Sequence, residues 1–567
     1  MPKARVQNIK GIDYVYIESS HRVVGRHYPD HTRLYIGKMT SDGFSPNTKF
    51  HALSIEEKKA TGVEWNASSH SASTRPRGRP FASSVGVRKF RGTDLLLSTI
   101  ADDIGLDDDL AKVFGDRATQ IASIAYYLMA NPEAPLYRFS SWDRLHYHPY
   151  GSDIPSPRSS ELFGSITEDE IQQFLILRVK RAAQNSGWLA VDTTSISSYS
   201  QALSLVAKGH NKDHDQLDQV NLLLVFDQDT DVPVFYRKLR GNITDVTTVE
   251  NTLHDLRGLG IDGASLVLDR GFYSEDNVKT LLKRRYPFTI GTKLSLAFVK
   301  EALQQTRARM LSYDSYDVGR KVFHAVVPIA YAIPVRGRGP NSKTAYLHLY
   351  CNKEREANES AALMKKLKDM RSQLESGALT SSKKALEQYF TLTCDSTGDI
   401  ISFSEKQEAI SQAMDRCGFF ALLTSEKHLD SMEVLTIYRL KDRAEKAYNN
   451  FKDRLQLQRT RCSNDENFSG KVFVQFVALI LLSRLRKEMA AKKLYDVFSY
   501  RKLLDEVDVI EYFEYAGQHG HWGEITAKQG LILRAFNVEL PLEAWPKSIQ
   551  KEIIKEQKAK KKIAQTV

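Results

Sequence analysis

Three apolar runs follow one another in the middle of the chain: WLAVDTTS (Trp188 to Ser195), VNLLLVFD (Val220 to Asp227) and VPVFYRKL (Val232 to Leu239). Short runs of this composition bounded by polar turns read as successive strands, the last two joined by a short acidic turn. The pattern then alternates. TDVTTVENTLHDLRGLG has a helix start and a glycine-rich stop, and ASLVLD is a buried strand ending on Asp269. SEDNVKTLLKRRY is a second helix and FTIGTKL another strand.

Three meandering strands followed by alternating helix and strand is the order of a ribonuclease-H-like core. The expected fold class is therefore α/β: a ribonuclease-H-like catalytic core with a β-rich and helical insertion, preceded by a small β region and a helical domain. The expected boundaries are a β region over 1–53, a basic Ser/Pro/Gly-rich linker or arm over 54–92, and a helical domain, DNA-binding or structural, over 93–180. The core occupies 181–293 and 417–490, split by the insertion at 294–416, and a helical basic tail closes the chain over 491–567. In TRPRGRPFASSVGVRKFRG, inside the arm, Pro and Gly forbid a regular element.

Composition narrows the function. At 567 residues and 42% hydrophobic, the chain has room for three or four domains with a full core. VFVQFVALILL (Val472 to Leu482) is interrupted by Gln475 and too short to cross a bilayer, and MPKARVQNIKG lacks a signal peptide's apolar segment, so no membrane partner is expected. Cys351, Cys394, Cys417 and Cys462 form no CxxC pair, which fits a reducing compartment. The expected address by default is the cytoplasm. A net charge of +11 favours a polyanionic partner, because neutralising phosphates releases counterions.

Several motif matches fail on context. GLGIDG (Gly258 to Gly263) satisfies GxGxxG but follows a helix, whereas a dinucleotide loop follows a strand. GRGPNSKT (Gly337 to Thr344) has Ser342 where a phosphate loop needs its second glycine. DQDTDV has Val232 in place of a calcium loop's glycine and reads as a hairpin turn. The pairs His146/His148, His210/His214 and His519/His521 lack the partners of a zinc shell. TIADDIGLDDDLAKVFG has a helix-turn-helix outline, but its acidic second helix would repel phosphate, so a structural role is expected.

The acids differ. Asp192 and Asp269 end strands, where ligands gather in an open α/β sheet, although each taken singly also suits a cap or turn. In IYRLKDRAEKAYNNFKD, Tyr438, Lys441, Glu445 and Lys452 project at roughly 0°, 300°, 340° and 320° on a helix, one stripe. A carboxylate between ammonium groups and a phenol suits a site where metal ions bind the acid and basic groups hold phosphates. The bland alternative is a solvated helix with an ordinary Glu and Lys pair.

This stretch resembles the Y-(2)-R-(3)-E-(6)-K signature of insertion-sequence DDE transposases of the group named after IS-four, with Lys441 in the arginine position. DTTSISSYS resembles that group's first-Asp segment, VPVFYRKLRGNITDVTTV its Gly-Asn-x-x-Asp stretch (Gly241, Asn242, Asp245), and LDRGFYSEDNV its second-Asp segment. YVYIESS and RLYIGKM are similar to the opening of one branch.

The resemblance implies a prokaryotic, nucleoid-associated DNA transposase, cutting insertion-sequence ends and joining them to target DNA. Asp192, Asp269 and Glu445 would be the catalytic and metal-binding triad for two Mg²⁺ ions, with Mn²⁺ able to substitute. Tyr438, Lys441 and Lys452 would hold phosphates near the cut. Its partners would be double-stranded DNA, at the terminal inverted repeats and the target, and further copies of the chain in a homodimer or larger synaptic complex. The 176 positions from Asp269 to Glu445 leave room for the insertion. Some relatives stack a flipped base on a tryptophan there. Here Trp65, Trp142, Trp188, Trp522 and Trp545 fall outside it, leaving Tyr313, Tyr316 and Tyr331 as candidates. RPRGRP (Arg75 to Pro80) resembles an AT-hook core that would lay Arg77 and Arg79 along a narrow minor groove, or else is a flexible basic linker. The rival readings are a ribonuclease-H-like nuclease without strand transfer and a catalytically silent DNA-binding protein.

Overall fold

The computed structural model describes residues 3–9, 11–21, 29–40, 43–64, 87–183, 187–198, 200, 202–209, 217–243, 245–258, 264–335, 338–395, 399–441, 459–460, 462, 464–514 and 520–564. The chain divides into two compact units, Met1–Val85 and Gly86–Val567. In the first, β1 (Arg5–Ile9), β2 (Ile12–His21), β3 (Asp30–Thr40) and β4 (Gly43–Pro46) form an antiparallel sheet in chain order. Gly11, at φ 81°, makes the tight first turn, a conformation that costs a side-chain-bearing residue more. One face buries Val15 and Ile36 against Phe50 of the short helix that follows. The helix Ile55–Ala60, closed by a capping box between Ser54 and Glu57, already lies inside the expected arm.

The second unit is mixed α/β. β5 (Val87–Phe90) opens it, so the arm is narrower than 54–92 at both ends. Then come β6 (Trp188–Ser198), β7 (Gln219–Asp227), β8 (Val232–Arg240), β9 (Ser265–Leu268) and β10 (Phe288–Thr292). The insertion supplies β11 (Tyr316–Asp317), β12 (Val322–Val335), β13 (Arg338–Cys351), β14 (Phe390–Cys394) and β15 (Ile400–Glu405). The last strands are β16 (Phe419–Thr424), β17 (Arg459–Thr460), β18 (Glu511–Glu514) and β19 (His521–Trp522). The main sheet runs β11-β12-β13-β16-β10-β9-β6-β7-β8, with β17 beside the end of β6. β6, β7 and β8 are an antiparallel meander, while β9 pairs parallel to β6 and β10 parallel to β9.

The central strands are near-continuously apolar because both faces are covered. The insertion is built onto the sheet's edge through β12 and β13, while β14, β15 and the helix Lys353–Ser376 share a small core of their own around Met370, Leu386, Tyr389 and Phe390. Residues 338–344 of the phosphate-loop look-alike lie in β13, and the acidic turn of DQDTDV does close the β7–β8 hairpin. Residues 259–263 of GLGIDG lie outside the described residues.

The apolar run expected to be too short for a bilayer belongs to the helix Asp465–Ala491, whose 27 residues are long enough. Its apolar window is 89% buried inside the protein, the position of a core helix. It packs on the helices Arg117–Ala130 and Ser156–Ser165. The acidic helix Leu106–Phe114 buries Asp109 against Arg178 at 3.1 Å, a structural use of its charge. His146 and His148 are core histidines held by Asp508 and Asp143 at 3.1 and 3.0 Å. The segment expected as a basic tail folds back: β18 pairs with β5, and the helix Tyr500–Asp508 packs on Gly92–Asp103.

Gly470 sets a close helix approach, since a Cβ there would meet the Phe163 carbonyl oxygen at 2.1 Å. Gly470→Ala should therefore lower stability by roughly 1–3 kcal/mol through overpacking, read as a lower urea midpoint with an unchanged slope.

Candidate active site

The register of the parallel strands builds the site. β6 and β9 pair as Ala190↔Val267 and Val191↔Leu268, so Asp192 and Asp269 come next, side by side. Asp269 follows the end of β9 as expected, but Asp192 does not end its strand: β6 runs on to Ser198 because β7 continues to pair with it past Asp192↔Leu224. β9 and β10 pair as Ile290↔Leu268, which puts Gly291 in the same row. Across the antiparallel strands the row continues through Leu422 to His348. Neighbours in one row share a face of the sheet. Asp192 is 8% exposed, and its Oδ1 accepts the Thr193 backbone N–H at 2.8 Å. Asp269 leaves the sheet into a 3₁₀ turn over Arg270–Phe272.

Helical residues 431–441 cover this face. Val434 and Leu435 bury against Leu422, Tyr350 and Val322. The start is fixed by Tyr350, whose hydroxyl donates to the Ser431 carbonyl at 2.6 Å, and by His348 Nδ1 at 3.0 Å from Ser431 Oγ. Gln228 Nε2 donates to the Ile437 carbonyl at 3.1 Å. Two consequences meet at Asp269 Oδ1: the Tyr438 hydroxyl donates to it at 3.0 Å, and Lys441 Nζ lies 3.4 Å away. Burial alone pushes the Asp269 carboxyl up, but the Lys441 ammonium, the Arg270 backbone N–H and the Tyr438 hydroxyl hold it below the usual aspartate value. It is a carboxylate at neutral pH.

Of the residues singled out in the sequence, the structure brings Asp192, Asp269, Tyr438 and Lys441 together. Lys441, expected at a phosphate, is 3% exposed with its ammonium against Asp269. Glu445 and Lys452 lie outside the described residues, as do Arg77 and Arg79. Among the aromatic candidates, Tyr331 is buried, Tyr316 packs on Phe323, and Tyr313 is 87% exposed.

Gly291 escaped the sequence reading. A Cβ there would lie 2.6 Å from the Tyr438 hydroxyl and 3.1 Å from the Arg270 nitrogen, so the missing side chain is what lets Tyr438 reach Asp269. The available signal was a glycine inside a strand, which often marks a close approach. The donor chemistry suits a hard divalent cation: two neighbouring carboxylates, with Tyr438 and Lys441 both directed at Oδ1 of Asp269. Among the described residues no group of three His, Cys, Asp or Glu side chains could hold a metal.

Two outcomes follow from this geometry. Gly291→Ala should leave the fold intact and cut activity by about tenfold or more, because Tyr438 is displaced from Asp269; Tyr438→Phe should show a similar loss, compared in single-turnover assays. His348 is buried beside His324, which lowers its pKa to about 4 from 6.5. The unfolded chain thus binds its proton near pH 6.5 and the folded chain near 4, so this contribution, about 3 kcal/mol, is lost as pH falls through that window. His348→Gln should flatten the pH dependence of the urea midpoint there.

The sequence model of the transposase DDE domain family matches residues 186–481, more than half of the chain. The cryo-EM structure of a piggyBac transposase synaptic complex with hairpin DNA is similar over 82% of this chain and 84% of that chain, with 10% identity and a TM-score of 0.35. No curated protein matches.

Proposed function

The chain belongs to the DDE transposase family, and we propose that it cleaves DNA at insertion-sequence ends and transfers the freed strand into target DNA. The observation that carries the reading is the pair of carboxylates, Asp192 and Asp269, set side by side by the β6–β9 register inside the matched region. The order β8-β7-β6-β9-β10, a meander continued by two parallel strands, supports reading the core as ribonuclease-H-like. The stripe of Tyr438, Lys441, Glu445 and Lys452 supports the IS-four group and Glu445 as the third acid.

Asp192, Asp269 and Glu445 would hold two divalent ions, Mg²⁺ or in its place Mn²⁺. Bound there, such ions supply activation of the attacking oxygen and stabilisation of the leaving one. The chain's own residues prepare the site. Lys441 and Tyr438 keep Asp269 ionised and oriented, so its carboxylate needs no deprotonation before it binds a cation. Because Lys441 is buried against Asp269 and Tyr438 donates to the same carboxylate, the cationic group left on the stripe for a scissile phosphate is Lys452. In the first transfer a water oxygen attacks phosphorus and the 3′ oxygen of the element leaves. In the second that 3′ hydroxyl attacks a target phosphate and loses its proton, and the bond from that phosphorus to the target strand's own 3′ oxygen breaks, leaving a target 3′ hydroxyl. Both ends must be handled together, which favours a homodimer or larger synaptic assembly, acting at the nucleoid.

Strand cleavage and joining on the DNA flanking the reading frame, with Mg²⁺ or Mn²⁺, tests this. Asp192→Asn, Asp269→Asn and Glu445→Gln should each lower cleavage by at least ~10³-fold. A Glu445→Gln variant that cuts like wild type would sink the triad. Cleavage without joined products would mean a nuclease, and binding without metal-dependent cleavage a silent DNA-binding protein.

A further inference from the structure

The unit Met1–Val85 carries 13 Lys and Arg against 7 Asp and Glu, six of the chain's eleven net positive charges in its first 85 residues. Its sheet is covered on one face by Phe50, Leu53 and Val63. The strand alternation sends Arg5 and Gln7 of β1, Tyr14, Tyr16 and Glu18 of β2, and Arg33, Tyr35 and Lys38 of β3 to the opposite face, where the register sets them against one another: Arg5↔Tyr16, Gln7↔Tyr14, Tyr16↔Tyr35, Glu18↔Arg33 and Tyr14↔Lys38. Among these residues one acid faces three cations.

The face is ordered as well as basic. Glu18 accepts from Arg5 and from Arg33, both at 2.9 Å, and so holds two guanidinium groups in place. Arg33 and the Tyr35 hydroxyl both donate to Gln7 Oε1, at 3.2 and 3.1 Å. Each of these β3 cations also lies over a ring, Arg33 5.0 Å from the Tyr16 centroid and Lys38 5.2 Å from that of Tyr14. A groove of about 450 Å³ beside them is lined by Tyr14, Tyr35, Lys38 and Asn47 among others. Arg5 and Arg33 remain 68% and 44% exposed despite these contacts, so their outer N–H groups face solvent.

We propose that this open sheet face is a duplex-DNA contact surface, with Arg5, Arg33 and Lys38 on backbone phosphates and the half-buried Tyr14 and Tyr35 packed against the sugars at the groove edge, while Tyr16, buried beneath Arg33, supports that guanidinium. Duplex rather than single strand is favoured because the donors are fixed in one plane before binding, and because the tyrosine rings pack on one another (Tyr14–Tyr35 at 6.1 Å, Tyr16–Tyr35 at 5.5 Å) instead of standing apart to receive bases. A sheet face is a known reader of a DNA groove, and phosphate contacts fix its position there. The inference rests on the proposed action on DNA but adds a contact surface that is separate in sequence from the acidic triad.

The test is fluorescence anisotropy of the full-length protein with a labelled duplex cut from the DNA flanking the reading frame, over a series of salt concentrations. Arg5→Ala combined with Lys38→Ala should weaken binding roughly tenfold and lower the slope of log K on log salt by about two, one for each phosphate no longer neutralised. Lys38→Arg should keep the wild-type slope. Lys365→Ala with Lys368→Ala, the same charge change on the helix Lys353–Ser376, should move neither quantity. An Arg5/Lys38 variant with wild-type affinity and slope overturns the surface, as does an equal weakening in the Lys365/Lys368 control or preferential binding of single-stranded DNA or RNA. If wild type binds and cuts the duplex while the sheet variant matches it, only this inference fails. If wild type binds no DNA, the proposed function fails with it.

Discussion

The parallel pairing of β6 with β9 is the constraint on which the site depends. It delivers two carboxylates to adjacent positions, one within β6 and one just past the end of β9, where the backbone fixes them whatever their charge. Two carboxylates about 4 Å apart would repel by roughly 4 kcal/mol at an effective dielectric near 20, so such a pair demands positive charge. Lys441 supplies part of it from a nearly buried position. The dependence is mutual, because a buried ammonium is itself costly without a partner. Asp269 and Lys441 thus hold each other in place across 172 residues of chain.

That ion pair needs its helix aligned, and the alignment comes from the insertion together with β16, the core strand it joins. β13 brings His348 and Tyr350 to Ser431, and β16 brings Leu422 beneath Val434 and Leu435. Arg320, in the turn before β12, reaches the Thr436 hydroxyl at 2.6 Å. The edge strands therefore do more than widen the sheet: they seat the segment that carries Tyr438 and Lys441. Gly291 completes the fit by leaving space where any side chain would stand between Tyr438 and Asp269. That position in the row serves the site through what it lacks.

Behind the sheet, the helical region and the C-terminal segment form one scaffold around Asp465–Ala491. Periodicity showed the helices, but not that residues after 491 return to cover the first of them. Thr93 donates to Asp508 at 2.6 Å, a contact between segments 415 residues apart, and no local pattern announces such a pairing. The same holds for β5, four residues whose strand conformation exists because β18 lies beside them. Intrinsic preference for a strand is weak, and a partner decides it.

Local pattern was enough to specify the central strands, the helices between them and the acid that closes β9, but not the run of β6 beyond Asp192, because apolar periodicity and turn residues are properties of neighbouring positions. It also placed Tyr438 and Lys441 on one helical stripe, since 3.6-residue repetition is fixed by backbone geometry. The neighbouring of Asp192 and Asp269 came only with the folded sheet, because register depends on which strands pair. So did the burial of Lys441 against Asp269, the part Gly291 plays in the site, and the enclosure of the long apolar helix by protein. Each of these is set by what lies across a contact, and a stretch of chain carries no record of its distant partner.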